Sequence, residues 1–185
     1  MNELRVRAVA RVVRTGGLIA YPTEAVYGLG CDPRNERAVR RLLALKRRSP
    51  RKGLILIAAD FTQLAPYLQS LTAADQIQLD ATWPGPYTWL IPARPEVPRW
   101  LRGQFDTLAV RVTAHPLVAA LCRACGHPLV STSANFSGRP PARTALAVRR
   151  QLGEKIDALL PGPTGGAARP TEIRDLRTGR LMRGG

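Results

Sequence analysis

Leu4, Val6, Val9, Val12 and Val13 recur among arginines at the spacing of a short amphipathic helix over residues 3 to 14, which Gly16-Gly17 stops. Leu18 to Tyr21 then reads as a strand closed by Pro22. Residues 35 to 47 carry the clearest helical pattern, with Val39, Leu42, Leu43 and Lys46 on one face and Arg37, Arg40, Arg41 and Arg48 on the other. Leu54 to Ala58 is a continuous apolar run of the buried-strand kind. Asp60 with Gln63 resembles a capping box for a helix to about Leu68, and Thr72 with Asp75 starts another. Further strands are expected at 88–91, 107–113, 128–133, 158–160, 171–176 and 180–182, and helices at 116–125 and 143–153. Strands and helices mix without strict alternation, which predicts an α/β fold with a twisted, mixed sheet and flanking helices.

Length and charge narrow this picture. A chain of 185 residues with 45% hydrophobic content is expected to form one domain around a real core. No apolar stretch approaches the roughly 20 residues of a membrane-spanning helix. The N-terminal segment threads charges through its apolar residues, unlike a signal peptide, so a cytoplasmic protein is expected. Three cysteines, Cys31, Cys122 and Cys125, are too few and too odd in number for a disulfide framework. Lysine and arginine number 28 against 13 acidic residues, and the net charge of +15 predicts a polyanionic partner: nucleic acid, nucleotide phosphates or an acidic protein.

Three segments could carry chemistry. Tyr21 to Gly30 holds Thr23, Glu24, Tyr27 and two glycines directly after the first strand, either a ligand-binding turn at a strand end or an ordinary turn. The two glycines lack the third of a dinucleotide fingerprint, and the chain holds no Walker A sequence. Lys46 to Lys52 closes a run of eight basic residues from Arg37 with no acid among them. Most of that run reads as a solvated face, but Lys46 shares the apolar stripe, so its ammonium either snorkels out or meets an anion with Arg48 and Lys52 nearby. Ser131, Thr132, Ser133, Asn135 and Ser137 crowd the end of an apolar strand, and alternation sets Ser131 and Ser133 on one face. Arg111, inside the apolar run Leu108 to Val112, is a buried charge that needs a partner: a ligand carboxylate, Asp106 or Glu24. His115, Cys122, Cys125 and His127 are spaced too irregularly for a zinc site, and neither histidine lies beside a convincing nucleophile, so no metal ligands are assigned.

Taken in order, YPTEAVYGLGCDP (21 to 33), LKRRSPRKGLILIAA (45 to 59), WPGPYTWL (83 to 90), LAVRVTAHPLV (108 to 118), PLVSTSANFSG (128 to 138) and the tail PTEIRD with LMRGG resemble the YrdC-like domain family over nearly the whole chain. The resemblance implies one YrdC-like domain, residues 1–185, with a twisted, mostly open sheet around a positively charged cavity. It implies a nucleotidyltransferase that makes threonylcarbamoyl-adenylate and pyrophosphate from L-threonine, bicarbonate and ATP, with Mg2+ on the ATP. The product would serve the threonylcarbamoyl modification of adenosine 37 in tRNA, completed by a separate complex of TsaD with TsaB and TsaE. By matching position, Lys46, Arg48, Lys52 and Arg183 would hold the phosphates, with Ser131, Ser133 and Asn135 beside them and Thr107 near the nucleotide. Lys46, Arg48, Ser133 and Asn135 would form the catalytic set. Arg111, Thr23 and Thr171 would bind threonine. Ala25 and Ile57 depart from the Thr and His that longer relatives often carry at these places. A protein that uses its charge to bind RNA, as a ribosome-maturation factor does, is the competing expectation, as is a relative with the same cavity and another substrate.

Overall fold

The computed structural model describes residues 3–169 and 171–184, and among them nine strands join in one mixed sheet flanked by six α-helices. The strands are β1 (Ile19–Pro22), β2 (Tyr27–Gly30), β3 (Ile55–Ala58), β4 (Tyr87–Pro92), β5 (Thr107–Val112), β6 (Leu129–Ser133), β7 (Ala158–Leu159), β8 (Glu172–Asp175) and β9 (Leu181–Arg183). Their order across the sheet is β7-β1-β2-β6-β3-β5-β4-β8-β9. Pairs β1–β7, β3–β5 and β4–β8 are parallel and the other five are antiparallel, which bears out the mixed sheet expected from the irregular succession of elements.

Helices cover both faces. On one, α1 (Glu3–Arg14) and α5 (Pro116–Cys125) bury Val6, Val9, Val13, Val118 and Leu121 against Ile19, Tyr21, Ile57 and Leu129. On the other, α2 (Glu36–Lys46), α3 (Ala73–Asp80), α4 (Arg99–Arg102) and α6 (Ala145–Leu152) contribute Leu42, Leu79, Leu101 and Val148 to a core that includes Leu29, Leu56, Ile91, Val110 and Val130. Alternation along each strand divides the two sets, since successive side chains point to opposite faces.

Local chemistry sets the helix ends. The Asn35 side chain accepts from the Ala38 amide at the start of α2, and Thr72 and Asp75 form the reciprocal capping box expected for α3. The helix expected from Asp60 to Leu68 is instead two short 3-10 turns, Phe61–Gln63 and Ala65–Tyr67. Pro66 removes an amide that a continuous α-helix would need. The cap itself is present: Asp60 accepts from the Gln63 amide, while the Gln63 side chain accepts from the Ala59 amide and donates to the Cys122 carbonyl.

The segment 21–30 is a β-hairpin, not a turn alone. β1 and β2 pair from Ile19↔Gly30 to Pro22↔Tyr27, and only residues 23–26 turn. Neither Gly28 nor Gly30 has a positive φ. Both are needed for close approach: a Cβ on Gly30 would lie 2.4 Å from the Val130 carbonyl oxygen and 2.8 Å from the Tyr21 ring.

Candidate active site

The face that carries Ile57 and Leu129 turns polar further along the same strands. β6 advances by twos from Leu129 to Ser131 and Ser133, and β2 brings Gly28 beside Ser133. Arg111 on β5 stands in register with Ile57 on β3. Gly28, Ser131, Ser133 and Arg111, with Thr23, Thr171 and Arg183, line one cavity of about 200 Å³, with Arg48 at its wall. No aspartate or glutamate is among its lining residues, so its fixed charge is positive.

Each cation reaches the cavity by a traceable local route. The last turn of α2 ends at Lys46, and Arg47 adopts the left-handed conformation with φ 46°, which turns the chain back on itself. Arg48 then donates from Nε and Nη2 to the Gly53 carbonyl at 3.3 and 2.9 Å. Arg111 is 6% exposed. Its Nη1 donates to Thr171 Oγ1 at 2.7 Å and its Nη2 lies 3.4 Å from Glu24 Oε2. Of the three partners open to Arg111 in the sequence, Glu24 is the protein group that meets it, and Asp106 is exposed. Arg183 arrives from edge strand β9 and donates to the Thr171 carbonyl at 3.1 Å. Burial pushes the Arg183 guanidinium below its ordinary range, and Arg111 and Arg48 add to the effect, as three cations facing one space must.

Lys46 points inward as its helical position predicts, but its ammonium is already surrounded. Nζ donates to the Ser133 carbonyl at 2.7 Å, the Asn135 carbonyl at 2.8 Å and Asn135 Oδ1 at 2.5 Å, and lies 3.4 Å from Ser133 Oγ. Ser133 Oγ also donates to Asn135 Oδ1 at 2.7 Å. Lys46 and Asn135 therefore form the support on which Ser133 enters the cavity. Burial, with Arg48 close by, pushes the Lys46 ammonium down to about 8.

Thus Thr23, Arg48, Arg111, Ser131, Ser133, Thr171 and Arg183 converge on the cavity, and Lys46 and Asn135 join it through Ser133. Lys52 and Thr107 are not among the lining residues: Lys52 is exposed, and Thr107 begins β5 opposite Pro92. Two buried hydroxyls escaped the sequence reading. Thr113 donates to Glu24 Oε1 at 2.6 Å, and Thr88 lies 3.3 Å from Thr171 Oγ1. Their signal was a threonine at an inward position of an apolar strand. Cys31, Cys122 and Cys125 are buried free thiols, and burial raises all three pKa values, that of Cys125 to about 12.

Known proteins resemble this chain in sequence and fold. The family model Sua5/YciO/YrdC, described as "Telomere recombination", matches residues 11–185. The chain is 64% identical over 179 residues to the threonylcarbamoyl-AMP synthase of Nitrosococcus oceani, with 97% of each chain covered. It is 61% identical over 182 residues to the enzyme of that name from Halorhodospira halophila, covering 98% of this chain and 95% of the relative. Among solved structures, P. abyssi Sua5 complexed with L-threonine matches with TM-score 0.92 and 33% identity over 99% of this chain and 54% of that one, so the chain spans about half of it. E. coli YciO matches with TM-score 0.85 and 27% identity over 98% of this chain and 89% of its own. In segment order, in sheet and in near-complete coverage by these relatives, the chain belongs to the Sua5/YciO/YrdC family.

Proposed function

We propose that the chain is a threonylcarbamoyl-AMP synthase, a nucleotidyltransferase that joins L-threonine, bicarbonate and ATP and releases pyrophosphate and water. The observation that carries this reading is the convergence of Arg48, Arg111 and Arg183 with Ser131 and Ser133 on a cavity without a lining carboxylate. Its positive lining suits the two anions of the reaction, an amino-acid carboxylate and a nucleotide triphosphate. Near-full-length identity to enzymes of that name supplies the reaction.

Arg111 receives the threonine carboxylate, with the Thr23 and Thr171 hydroxyls near the amino acid. Arg48 and Arg183 hold the triphosphate, with the buried Lys46 charge behind Ser133. Ser131 and Ser133 face the nucleotide, and Lys52 and Thr107 meet it only beyond the cavity lining. The threonine amine attacks the bicarbonate carbon, and loss of water leaves a carbamate. A carbamate oxygen then attacks the ATP α-phosphorus while the bond to pyrophosphate breaks. No covalent enzyme intermediate is required. Charge grows on the attacking and leaving oxygens, so fixed cations and positioning do the catalytic work.

Mg2+ is expected with the ATP. The lining offers such an ion hydroxyls and no carboxylate, so phosphate oxygens and water would supply most of its coordination. When bound, the ion neutralises charge on the departing pyrophosphate. No helix among the described residues is long and apolar enough to cross a membrane. The enzyme acts in the cytoplasm on this reading, and its product passes to a TsaD, TsaB and TsaE complex that modifies tRNA.

Pyrophosphate release provides the test. Purified protein with ATP and Mg2+ is expected to release pyrophosphate only when threonine and bicarbonate are both present, and Arg48→Ala to slow it by at least about a hundredfold. Threonine-independent release, or an Arg48→Ala variant as fast as wild type, contradicts the reading.

A further inference from the structure

We infer that Glu24 is a positioning residue for threonine: its carboxylate holds the Arg111 guanidinium in the orientation that receives the amino acid, without touching the amino acid itself. This rests on the reading of Arg111 as the carboxylate receptor. Glu24 and Arg111 are 8% and 6% exposed, so water does not replace a lost partner, and removing one charge strands the other.

Arg111 meets one hydrogen-bond acceptor, Thr171, and one ion-pair partner, Glu24, whose Oε2 makes no hydrogen bond. Glu24 Oε2 lies 3.4 Å from Nη2, and Thr171 Oγ1 accepts from Nη1 at 2.7 Å. The buried Nε–H is left without an acceptor, on a residue that lines the cavity. Of the five N–H donors of the guanidinium, one hydrogen bond to the protein, from Nη1, is made among the described residues, so donors remain for a carboxylate.

Glu24 is itself held from behind. Thr113 Oγ1 donates to Oε1 at 2.6 Å and accepts from the His115 amide at 3.1 Å, at the start of α5. The Glu24 carbonyl accepts from the Ala167 amide at 2.9 Å. A Cβ on Gly165 would come within 3.0 Å of Glu24 Cα, so the two backbones are in close contact. Glu24 is absent from the cavity lining, and its route to a ligand runs through Arg111. Arg48 and Arg183 are fixed by other groups, the Gly53 and Thr171 carbonyls. Loss of the Glu24 charge therefore acts on threonine and spares ATP.

Calorimetric titration of the full chain with L-threonine, and separately with ATP and Mg2+, tests this. Glu24→Gln is expected to weaken threonine binding at least about tenfold and to leave ATP binding within about twofold. Thr113→Val, which frees only one carboxylate oxygen, is expected to weaken threonine about threefold. Wild-type threonine affinity in Glu24→Gln, alongside its loss in Arg111→Gln, overturns the inference and leaves the Arg111 reading standing. Retained threonine affinity in Arg111→Gln overturns both. Equal weakening of threonine and ATP marks a pair that only maintains the fold, and also overturns it. Should Glu24→Gln fail to fold, Thr113→Val decides by the same comparison.

Discussion

Lys46 shows how far a single residue can be read from sequence. Its place on the apolar stripe of α2 was legible from helical spacing, and it is 6% exposed. Its partners were not legible, because Ser133 and Asn135 lie 87 and 89 positions away and meet it only through the sheet. Arg111 repeats the lesson: the buried charge could be read, but the choice of Glu24 over Asp106 depends on how the hairpin turn packs beside β5. The chemistry of Lys46 leads to a pH dependence. Its ammonium is held down to about 8 from an ordinary 10.5, so the folded protein releases that proton first. Below about 8 the buried charge costs stability, and that cost relaxes as pH rises toward 10.5. On the proposed function phosphate binding runs the other way, since the Lys46 charge behind Ser133 attracts the triphosphate. ATP affinity is expected to fall several-fold between about pH 7 and about pH 9.5 in the wild type and to stay nearly level in Lys46→Arg, whose guanidinium remains charged. Parallel curves for the two proteins contradict the assignment.

Among the elements, the β1–β2 hairpin shows what periodicity conceals. Tyr27–Gly30 is short and half glycine, a composition depleted in strands, so the pattern gave only a turn. It is nevertheless buried throughout and pairs with β1 and β6, which sets Gly28 beside Ser133 in the cavity wall. The glycines let the Tyr21 ring and the β6 backbone close in. Gly30→Ala is therefore expected to destabilise the fold by about 1–3 kcal/mol, and Gly28→Ala, whose nearest contacts lie at 3.2–3.3 Å, by less. Urea unfolding checks this, and a Gly30→Ala variant as stable as wild type contradicts the close packing. The fully apolar and strongly amphipathic segments, α1, α2, β3, β5 and α5, were legible because burial leaves its period in the sequence. The 3-10 turns after Asp60 were not, because a cap signals where a helix begins and not how far it runs.

For the whole molecule, the net charge of +15 divides into two populations. Arg48, Arg111 and Arg183 face the cavity. Others sit on exposed faces, some paired, as Arg40 with Glu36 at 2.6 Å and Arg41 with Asp157 at 2.6 Å. Because 25 of the 28 basic residues are arginine, the positive field persists at any cellular pH. The charge alone announced an anion; on the proposed function, Arg111 receives a carboxylate while Arg48 and Arg183 receive a polyphosphate. That division is the central claim, and mass spectrometry of the reaction products with isotopically labelled bicarbonate tests it most directly. The expected result is threonylcarbamoyl-adenylate carrying the bicarbonate label, formed by the wild type and lost in Arg111→Gln while ATP binding persists. An unlabelled adenylate, or an undiminished yield from Arg111→Gln, would contradict it.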